Sequence, residues 1–280
     1  MFGTIYILIL LSYMCMSELL MILVSLELLS WVFSFLLSKE AVFKYLLIQS
    51  FFLLVSIMVL LSLPELFLLA LSMKMGLPPF SIWLLSLIQG LEKKSFVWMM
   101  TVHKLAPMLT LLQVMNGQVL FLSVVLVSLS GGATLLFSHF TMVLMFSSFI
   151  HSGWMLLAYY SGTSLFWVYW SQYSVGLMIL VLFLTTLEMK LFSVPQGTLF
   201  ISTMLIVSGL PPFMIFWLKL YVLQNTVVNS LMACWILLMI SVAVMSAYYR
   251  AIHLSACSSP YKSSGWYALS LTSLSILGIF

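Results

Sequence analysis

Three lysines and one glutamate lie deep within long apolar runs of the sequence. Glu27 lies in VSLELLSWVF, Lys74 in LSMKMGLPPF, Lys104 in TVHKLAPM and Lys219 in PPFMIFWLKL. A charged side chain near the centre of a membrane costs at least ~3 kcal/mol, and such residues commonly mark ion or proton pathways. Because burial penalises a charged lysine and a nearby carboxylate favours it, such a pair can exchange a proton. The residue types therefore predict proton exchange, with Glu27 and Lys74 within reach of each other on neighbouring helices.

Further polar side chains in the apolar runs could extend a hydrated proton path. These residues are His103, Gln49, Ser147, Ser148 and His151. For each of them taken singly, an ordinary hydrogen bond between helices is the alternative interpretation. His103 directly precedes Lys104, and Pro107 is expected to loosen the same helix.

The composition excludes several other kinds of chemistry. The sequence contains no Asp, so a Ser-His-Asp catalytic set cannot form. The cysteines Cys15, Cys234 and Cys257 lack the spacing of a metal site and are interpreted as small apolar residues. No zinc, haem or nucleotide motif is present. We therefore expect this chain to bind no metal and no cofactor, and to carry no electrons itself.

The pentapeptide GLPPF occurs twice, at 76–80 and 209–213, each time inside an apolar run. Proline lacks a backbone donor and clashes with the preceding helical turn, so both copies predict interrupted helices. The freed carbonyl groups must then face protein or water. The alternative interpretation is that glycine and proline are simply frequent in membrane helices. The helix-breaking residues are Gly76, Pro78, Pro79, Gly209, Pro211 and Pro212.

The elements that must position these residues are membrane-spanning helices. The chain is 64% hydrophobic and only 6% charged, which no water-facing surface allows. The runs lack the alternation of barrel strands, and a spanning helix needs about 20 apolar residues. We predict an all-α polytopic membrane protein with about eleven spans. The predicted spans are 2–16, 19–38, 41–63, 65–90, 95–115, 118–137, 140–160, 163–187, 197–223, 227–251 and 264–280.

The connections between the spans are short and segregate by charge. The Lys and Arg residues of the connections lie in or beside even-numbered connections, whereas Glu18 and Glu65 lie at odd-numbered ones. The basic residues are Lys39, Lys93, Lys94, Lys190, Arg250 and Lys262. By the positive-inside rule the even connections and the N-terminus face the cytoplasm-equivalent side, and the C-terminus faces the opposite side. No signal peptide and no extramembrane domain are expected, and the dispersed net charge of +4 does not indicate nucleic acid.

The two GLPPF copies lie on the fourth and ninth predicted spans, five helices apart. Because five is odd, the second copy runs through the membrane in the opposite direction. We predict one transmembrane domain, 1–280, made of a first repeat at 1–115, an inverted second repeat at 118–251 and an additional helix at 264–280. Inverted repeats with matching broken helices are the architecture of many ion transporters.

Four segments, LSMKMGLPPFSIWL, TVHKLAPM, FSSFIHSGWM and SGLPPFMIFWLK, resemble subunit 2 of mitochondrial NADH dehydrogenase (complex I). The order and spacing match from ELLSWVF to the second GLPPF, and the last thirty residues match weakly. In that family the subunit is one of several antiporter-like, proton-translocating units of the membrane arm. The resemblance implies that Glu27 is the carboxylate of the first repeat and Lys74 its partner. It likewise implies that Lys104 is the central relay lysine and Lys219 the exit-side lysine.

The resemblance also implies a location and partners. The chain would lie in the mitochondrial inner membrane, with its even connections in the matrix and its C-terminus on the intermembrane-space side. Its partners would be lipids and other membrane-arm subunits, including adjacent antiporter-like subunits. NADH, FMN, iron–sulfur clusters and ubiquinone would belong to other subunits, so the chain would act as an enzyme only as a subunit of NADH:ubiquinone reductase.

One departure concerns Lys219. A lysine lies two residues before the first GLPPF but six residues after the second, so Lys219 would be off-centre on a straight helix. The spans also hold three lysines against one glutamate, Glu27. Because the second repeat offers no carboxylate within its spans, we expect Lys219 to face an adjoining subunit and to lie near its Glu or Asp.

Two alternative functions remain from the sequence. A stand-alone cation/proton antiporter would share the fold and the lysines, although such a transporter usually has charged loops and tails. A purely structural subunit of the membrane arm is the second alternative, and it leaves Lys74 and Lys104 unexplained.

Overall fold

The chain folds as a bundle of helices. The computed structural model describes 2–63, 66–88, 91–114, 119–137, 140–183, 203–210, 213–228 and 230–257, and the statements below concern these residues. They contain helices and turns but no β-strand. The predicted span at 264–280, the connection residues Glu65, Lys190 and Lys262, and the prolines Pro211 and Pro212 lie outside the described residues.

Seven helices precede residue 115 in the described chain. They are α1 (Phe2–Met14), α2 (Leu19–Ser34), α3 (Lys39–Ser62), α4 (Phe67–Met75), α5 (Ile82–Ile88), α6 (Lys93–Met100) and α7 (Leu105–Val114). Two pairs, α4 with α5 and α6 with α7, each occupy one predicted span that the backbone interrupts.

The later helices include one more pair on either side of a break. They are α8 (Val119–Leu136), α9 (Phe140–Ser161), α10 (Thr163–Phe183), α11 (described over 203–208), α12 (Met214–Val227) and α13 (Leu231–Cys257). The pair α11 and α12 lies on either side of the second GLPPF.

Six helical segments of the described chain are long and apolar enough to cross a membrane. They are Ala41–Ser62, Lys93–Val114, Val119–Leu136, Thr141–Ser161, Thr163–Leu182 and Leu231–Ala251. The prediction of an all-helical, multi-pass membrane protein is therefore confirmed. The count of eleven spans and the inverted repeat remain predictions.

The helix α9 forms the centre of the bundle. It is almost wholly buried, and it packs against α8, α10 and α12. By contrast, few residues of α3 are buried, and its outer face carries large exposed apolar side chains such as Phe43, Met58 and Leu61. An apolar exterior of this kind is stable only in contact with lipid or with other apolar protein.

The fifth predicted span, 95–115, is broken between α6 and α7, on the helix that Pro107 was expected to loosen. The backbone turns at 101–104, where the His103 amide donates to the carbonyl of Trp98 at 3.0 Å, five residues back. Pro107 explains the break, because it cannot donate to the carbonyl of His103 and its ring clashes with that group. The turn places Lys104 at the junction of α6 and α7.

Candidate functional site

The predicted approach of Glu27 and Lys74 is confirmed. Glu27 on α2 and Lys74 on α4 form an ion pair, with 3.4 Å between Oε2 and Nζ. The side chains of Lys74 and Glu27 are 4% and 14% exposed, so water screens the pair little. Removing one partner of a buried ion pair leaves an uncompensated charge, so the stability of each of these two residues in its charged form depends on the other.

The first GLPPF ends α4 directly after Lys74. Gly76 adopts φ +67°, its amide donates to the carbonyl of Met73 at 3.0 Å, and the Leu77 amide donates to that of Ser72 at 3.0 Å. These two bonds form a Schellman motif, which requires a left-handed residue and therefore favours glycine. The Phe80 amide then donates to the carbonyl of Leu77 at 2.7 Å and closes a turn over the two prolines.

The second GLPPF has the same hydrogen bonds. Gly209 adopts φ +81°, its amide donates to the carbonyl of Ile206 at 3.1 Å, and the Leu210 amide donates to that of Leu205 at 3.4 Å. The Phe213 amide donates to the carbonyl of Leu210 at 2.9 Å. The same five letters thus end two helices in the same way, at distant places in the chain.

The side-chain amine of Lys219 lies at the second break, although the residue itself belongs to the following helix, α12. Its Nζ donates to the carbonyl of Ser208, the last helical residue of α11, at 3.2 Å. The amine also lies 5.7 Å from the centre of the Trp154 ring. The carbonyl end of a helix carries partial negative charge and attracts a cation.

This geometry bears on two expectations about Lys219. The residue is 9% exposed, and its amine contacts its own chain. Its approach to a Glu or Asp of an adjoining subunit stays a prediction. An off-centre amine was expected only for a straight helix, and because the side chain reaches back along α12, the amine lies at the break beside the carbonyl of Ser208.

Lys104 lies between the two halves of the bundle. Its Nζ donates to the hydroxyl of Ser148 on α9 at 2.7 Å and lies 4.1 Å from the centre of the Phe149 ring. The Ser148 hydroxyl in turn donates to the carbonyl of Met145 at 2.6 Å. Ser148 is therefore the partner of Lys104, while the Ser147 hydroxyl donates to the carbonyl of Leu144 at 2.7 Å.

His103 is held by tyrosines on both sides of its ring. The Tyr6 hydroxyl lies 3.0 Å from Nδ1, and the Tyr45 hydroxyl lies 2.6 Å from Nε2. Phe33 stacks on the imidazole at 4.6 Å. A neutral imidazole has one donor and one acceptor nitrogen, so one tyrosine donates and the other accepts.

His151 has a comparable setting on α9. Its Nδ1 lies 2.9 Å from the hydroxyl of Tyr169, and its ring stacks on Tyr173 at 4.6 Å. Sequence reasoning missed Tyr6, Tyr45 and Tyr169 as partners of the histidines. Their depth in apolar helices was the available signal, because a buried phenol needs a polar partner, but the sequence could not pair them.

A cavity joins the residues around Lys74 to those around Lys104. It measures about 20 Å³ for the centre of a water molecule, where about 10–15 Å³ suffices for one water. Its polar lining consists of Gln49, Lys74, His103 and Lys104. Within the described part of the chain, no three His, Cys or Glu side chains group together as a metal site would require.

The overall fold is similar to that of a known membrane protein chain. A chain in the structure of respiratory complex I from Thermus thermophilus with bound aureothin matches with a TM-score of 0.71 and 23% identity. The match covers 92% of this chain and 71% of that chain. The fold is therefore that of a multi-pass helical membrane protein.

Sequence relatives identify the family. No family model matches the chain. NADH-ubiquinone oxidoreductase chain 2 of Squalus acanthias is 31% identical over 241 residues, which cover 74% of this chain and 68% of that protein. The protein of the same name from Osphranter robustus is 31% identical over 199 residues, 66% of this chain and 57% of its own length. The chain belongs to the NADH-ubiquinone oxidoreductase chain 2 family, and the resemblance found from the sequence is confirmed.

Proposed function

We propose that the chain is a membrane-arm subunit of mitochondrial NADH:ubiquinone oxidoreductase that translocates protons through buried lysines, Glu27 and water. The family membership and the fold support the assignment to the complex. The ion pair of Glu27 and Lys74 is the observation that carries the proton-translocating role. A structural spacer would gain nothing from an ion pair in apolar surroundings, because apolar side chains of similar volume stabilise as well or better.

The arrangement suggests an order of proton positions along the bundle. Lys74 lies at the first helix break, Lys104 at the turn between α6 and α7, and Lys219 at the second break. Each amine contacts one polar group of the protein: Glu27 for Lys74, the hydroxyl of Ser148 for Lys104 and the carbonyl of Ser208 for Lys219. That contact can form or break when the amine gains or loses a proton. While Glu27 contacts Lys74, the charged amine is favoured, and separation of the pair favours release of its proton toward Lys104.

Electron transfer and substrate oxidation are assigned to other subunits. We propose that NADH, FMN, iron–sulfur clusters and ubiquinone bind elsewhere in the complex, and that this chain binds none of them. Its part in the enzyme is to couple redox energy released elsewhere to proton movement.

The remaining proposals concern placement in the membrane. The chain lies in the mitochondrial inner membrane with its N-terminus in the matrix and its C-terminus toward the intermembrane space, beside other antiporter-like subunits and lipids. Ten of the eleven spans form two inverted repeats of five, 1–115 and 118–251, and the eleventh is the additional helix at 264–280. The equal hydrogen-bond patterns at the two GLPPF copies support the repeat.

A charge-conserving substitution tests the proton-translocating role. Lys74→Arg keeps a positive charge beside Glu27 but provides a group that does not deprotonate. We expect the complex to assemble and to lose most proton translocation per electron, measured in vesicles with a pH-sensitive dye. Lys44→Arg, on the exposed face of α3, is the matched control and should behave as the unchanged protein. Full translocation by Lys74→Arg would refute the role.

A further inference from the structure

Gln49 is a buried amide without hydrogen bonds to the described residues. It lies on α3, it is 1% exposed, and neither Oε1 nor Nε2 has a partner there. A buried amide left unpaired is costly, and an ordered water is one partner that satisfies such groups in folded proteins. Gln49 therefore points to a bound polar molecule.

The position of Gln49 on its helix directs the amide toward the lysines. Tyr45 lies four residues earlier and so on the same face of α3, where its hydroxyl contacts Nε2 of His103 at 2.6 Å. One turn further along this face, Gln49 lines the cavity together with Lys74 and Lys104. These residues come from three separate parts of the chain and meet only at this cavity.

The size and lining of the cavity fit water. Its volume of about 20 Å³ for water centres exceeds what a single molecule needs. A buried water needs two to four polar partners, which the amide of Gln49 and the amines of Lys74 and Lys104 provide. His103 also lines the cavity, but Tyr6 and Tyr45 already contact its two ring nitrogens. Gln49 thus offers the uncommitted donor and acceptor.

We propose that Gln49 binds a water molecule in this cavity and so positions it between Lys74 and Lys104. The proposal rests on the proposed function, since the water would serve proton transfer between the two amines. A proton leaves Nζ of Lys74 for the water oxygen, and a second proton passes from the water to Nζ of Lys104. The amide keeps its own protons throughout, so Gln49 is a positioning residue.

The first test is a density map of the assembled complex at a resolution that shows ordered water. We expect water density within about 3 Å of Oε1 or Nε2 of Gln49. A dry cavity, or an amide bonded to other protein groups, would overturn the proposal whatever happens to proton translocation. Conversely, water at Gln49 together with full translocation by Lys74→Arg would refute only the proposed function.

The second test removes the amide while keeping its volume. In Gln49→Leu we expect the water density to disappear and proton transfer through the subunit to slow by roughly fivefold, the equivalent of one net hydrogen bond. Ser50→Ala, at the neighbouring and half-buried position of α3, is the control. An assembled Gln49→Leu complex with an unchanged translocation rate would refute the positioning role. If this variant fails to assemble, the density map of the unchanged complex decides whether Gln49 binds water.

Discussion

At the residue scale, the buried lysines are each stabilised by a different kind of partner. Lys74 has a carboxylate, Lys104 a serine hydroxyl with an aromatic ring face, and Lys219 a carbonyl at a helix end. Only the first of these partners carries a full charge. The three sites therefore differ in how strongly they favour a protonated amine, which is what a directional sequence of proton positions requires.

Removal of the carboxylate partner should block proton movement at its first position. In Glu27→Gln the charged form of Lys74 loses its counter-ion, and leaving such a charge unpaired costs about 3–5 kcal/mol. We expect proton translocation per electron to fall sharply, as measured in vesicles with a pH-sensitive dye. Glu18→Gln, an exposed glutamate just before α2, should change nothing. An unaltered ratio in Glu27→Gln would show that the ion pair is dispensable.

The hydroxyl of Ser148 should matter through Lys104. Ser148→Ala removes the acceptor 2.7 Å from the amine, and a buried donor left unsatisfied costs about 1–3 kcal/mol. We expect an assembled complex with slower proton translocation, measured as above. Ser86→Ala, at an exposed position of α5, serves as the control. Equal rates of proton translocation in the two variants would show that the hydroxyl of Ser148 takes no part in proton movement.

At the element scale, the repeated pentapeptide has one structural task in both places. In each copy the glycine ends a helix in a left-handed conformation, and the phenylalanine amide closes the following turn. The consequences differ, because the first break follows Lys74 while the second offers its last carbonyl to Lys219. The two breaks thus share one backbone structure, but they place their lysines on opposite sides of the break in the sequence.

A methyl group at the second break should displace the lysine. In Gly209→Ala the new Cβ would lie 3.1 Å from Nζ of Lys219 at φ +81°, a conformation that costs an L-residue about 1–2 kcal/mol. We expect lower thermal stability of the complex and impaired proton translocation. Gly132→Ala in α8, where the methyl group meets nothing within 4 Å, is the matched control. A Gly209→Ala complex with unchanged stability would contradict the strained geometry.

At the scale of the whole molecule, the chain is built to be surrounded by apolar material. Large apolar side chains cover the outer faces of α3 and α13, whereas Lys74, Lys104 and Lys219 are buried inside the bundle. Under the proposed function, the energy for proton movement would reach this bundle from redox reactions in other subunits.

Reconstitution of the chain alone distinguishes the proposal from an independent antiporter. In vesicles containing only this chain, we expect no exchange of sodium or potassium for protons, because the proposed function places the driving reaction in other subunits. Vesicles with the assembled complex and NADH should acidify under the same dye assay. Robust cation/proton exchange by the isolated chain would favour the antiporter instead.

The sequence by itself determined the class of protein, the presence of buried charges that need partners, and the glycines at which two helices end. Its composition requires a membrane, Glu27 and Lys74 are ionisable groups that must be compensated, and Gly76 and Gly209 begin segments that cannot remain helical. These features are local, since hydropathy, charge and backbone freedom belong to each residue and its near neighbours in the chain.

The tertiary structure alone decided which groups meet. The hydroxyls of Tyr6 and Tyr45 contact the ring nitrogens of His103, from which they are separated by 97 and 58 positions in the sequence. Lys219 contacts the carbonyl of Ser208 because its side chain folds back along α12. Such partners depend on the rotation and depth of whole helices. Long-range packing sets these quantities, and an apolar run fixes neither of them, because it is equally apolar on every face.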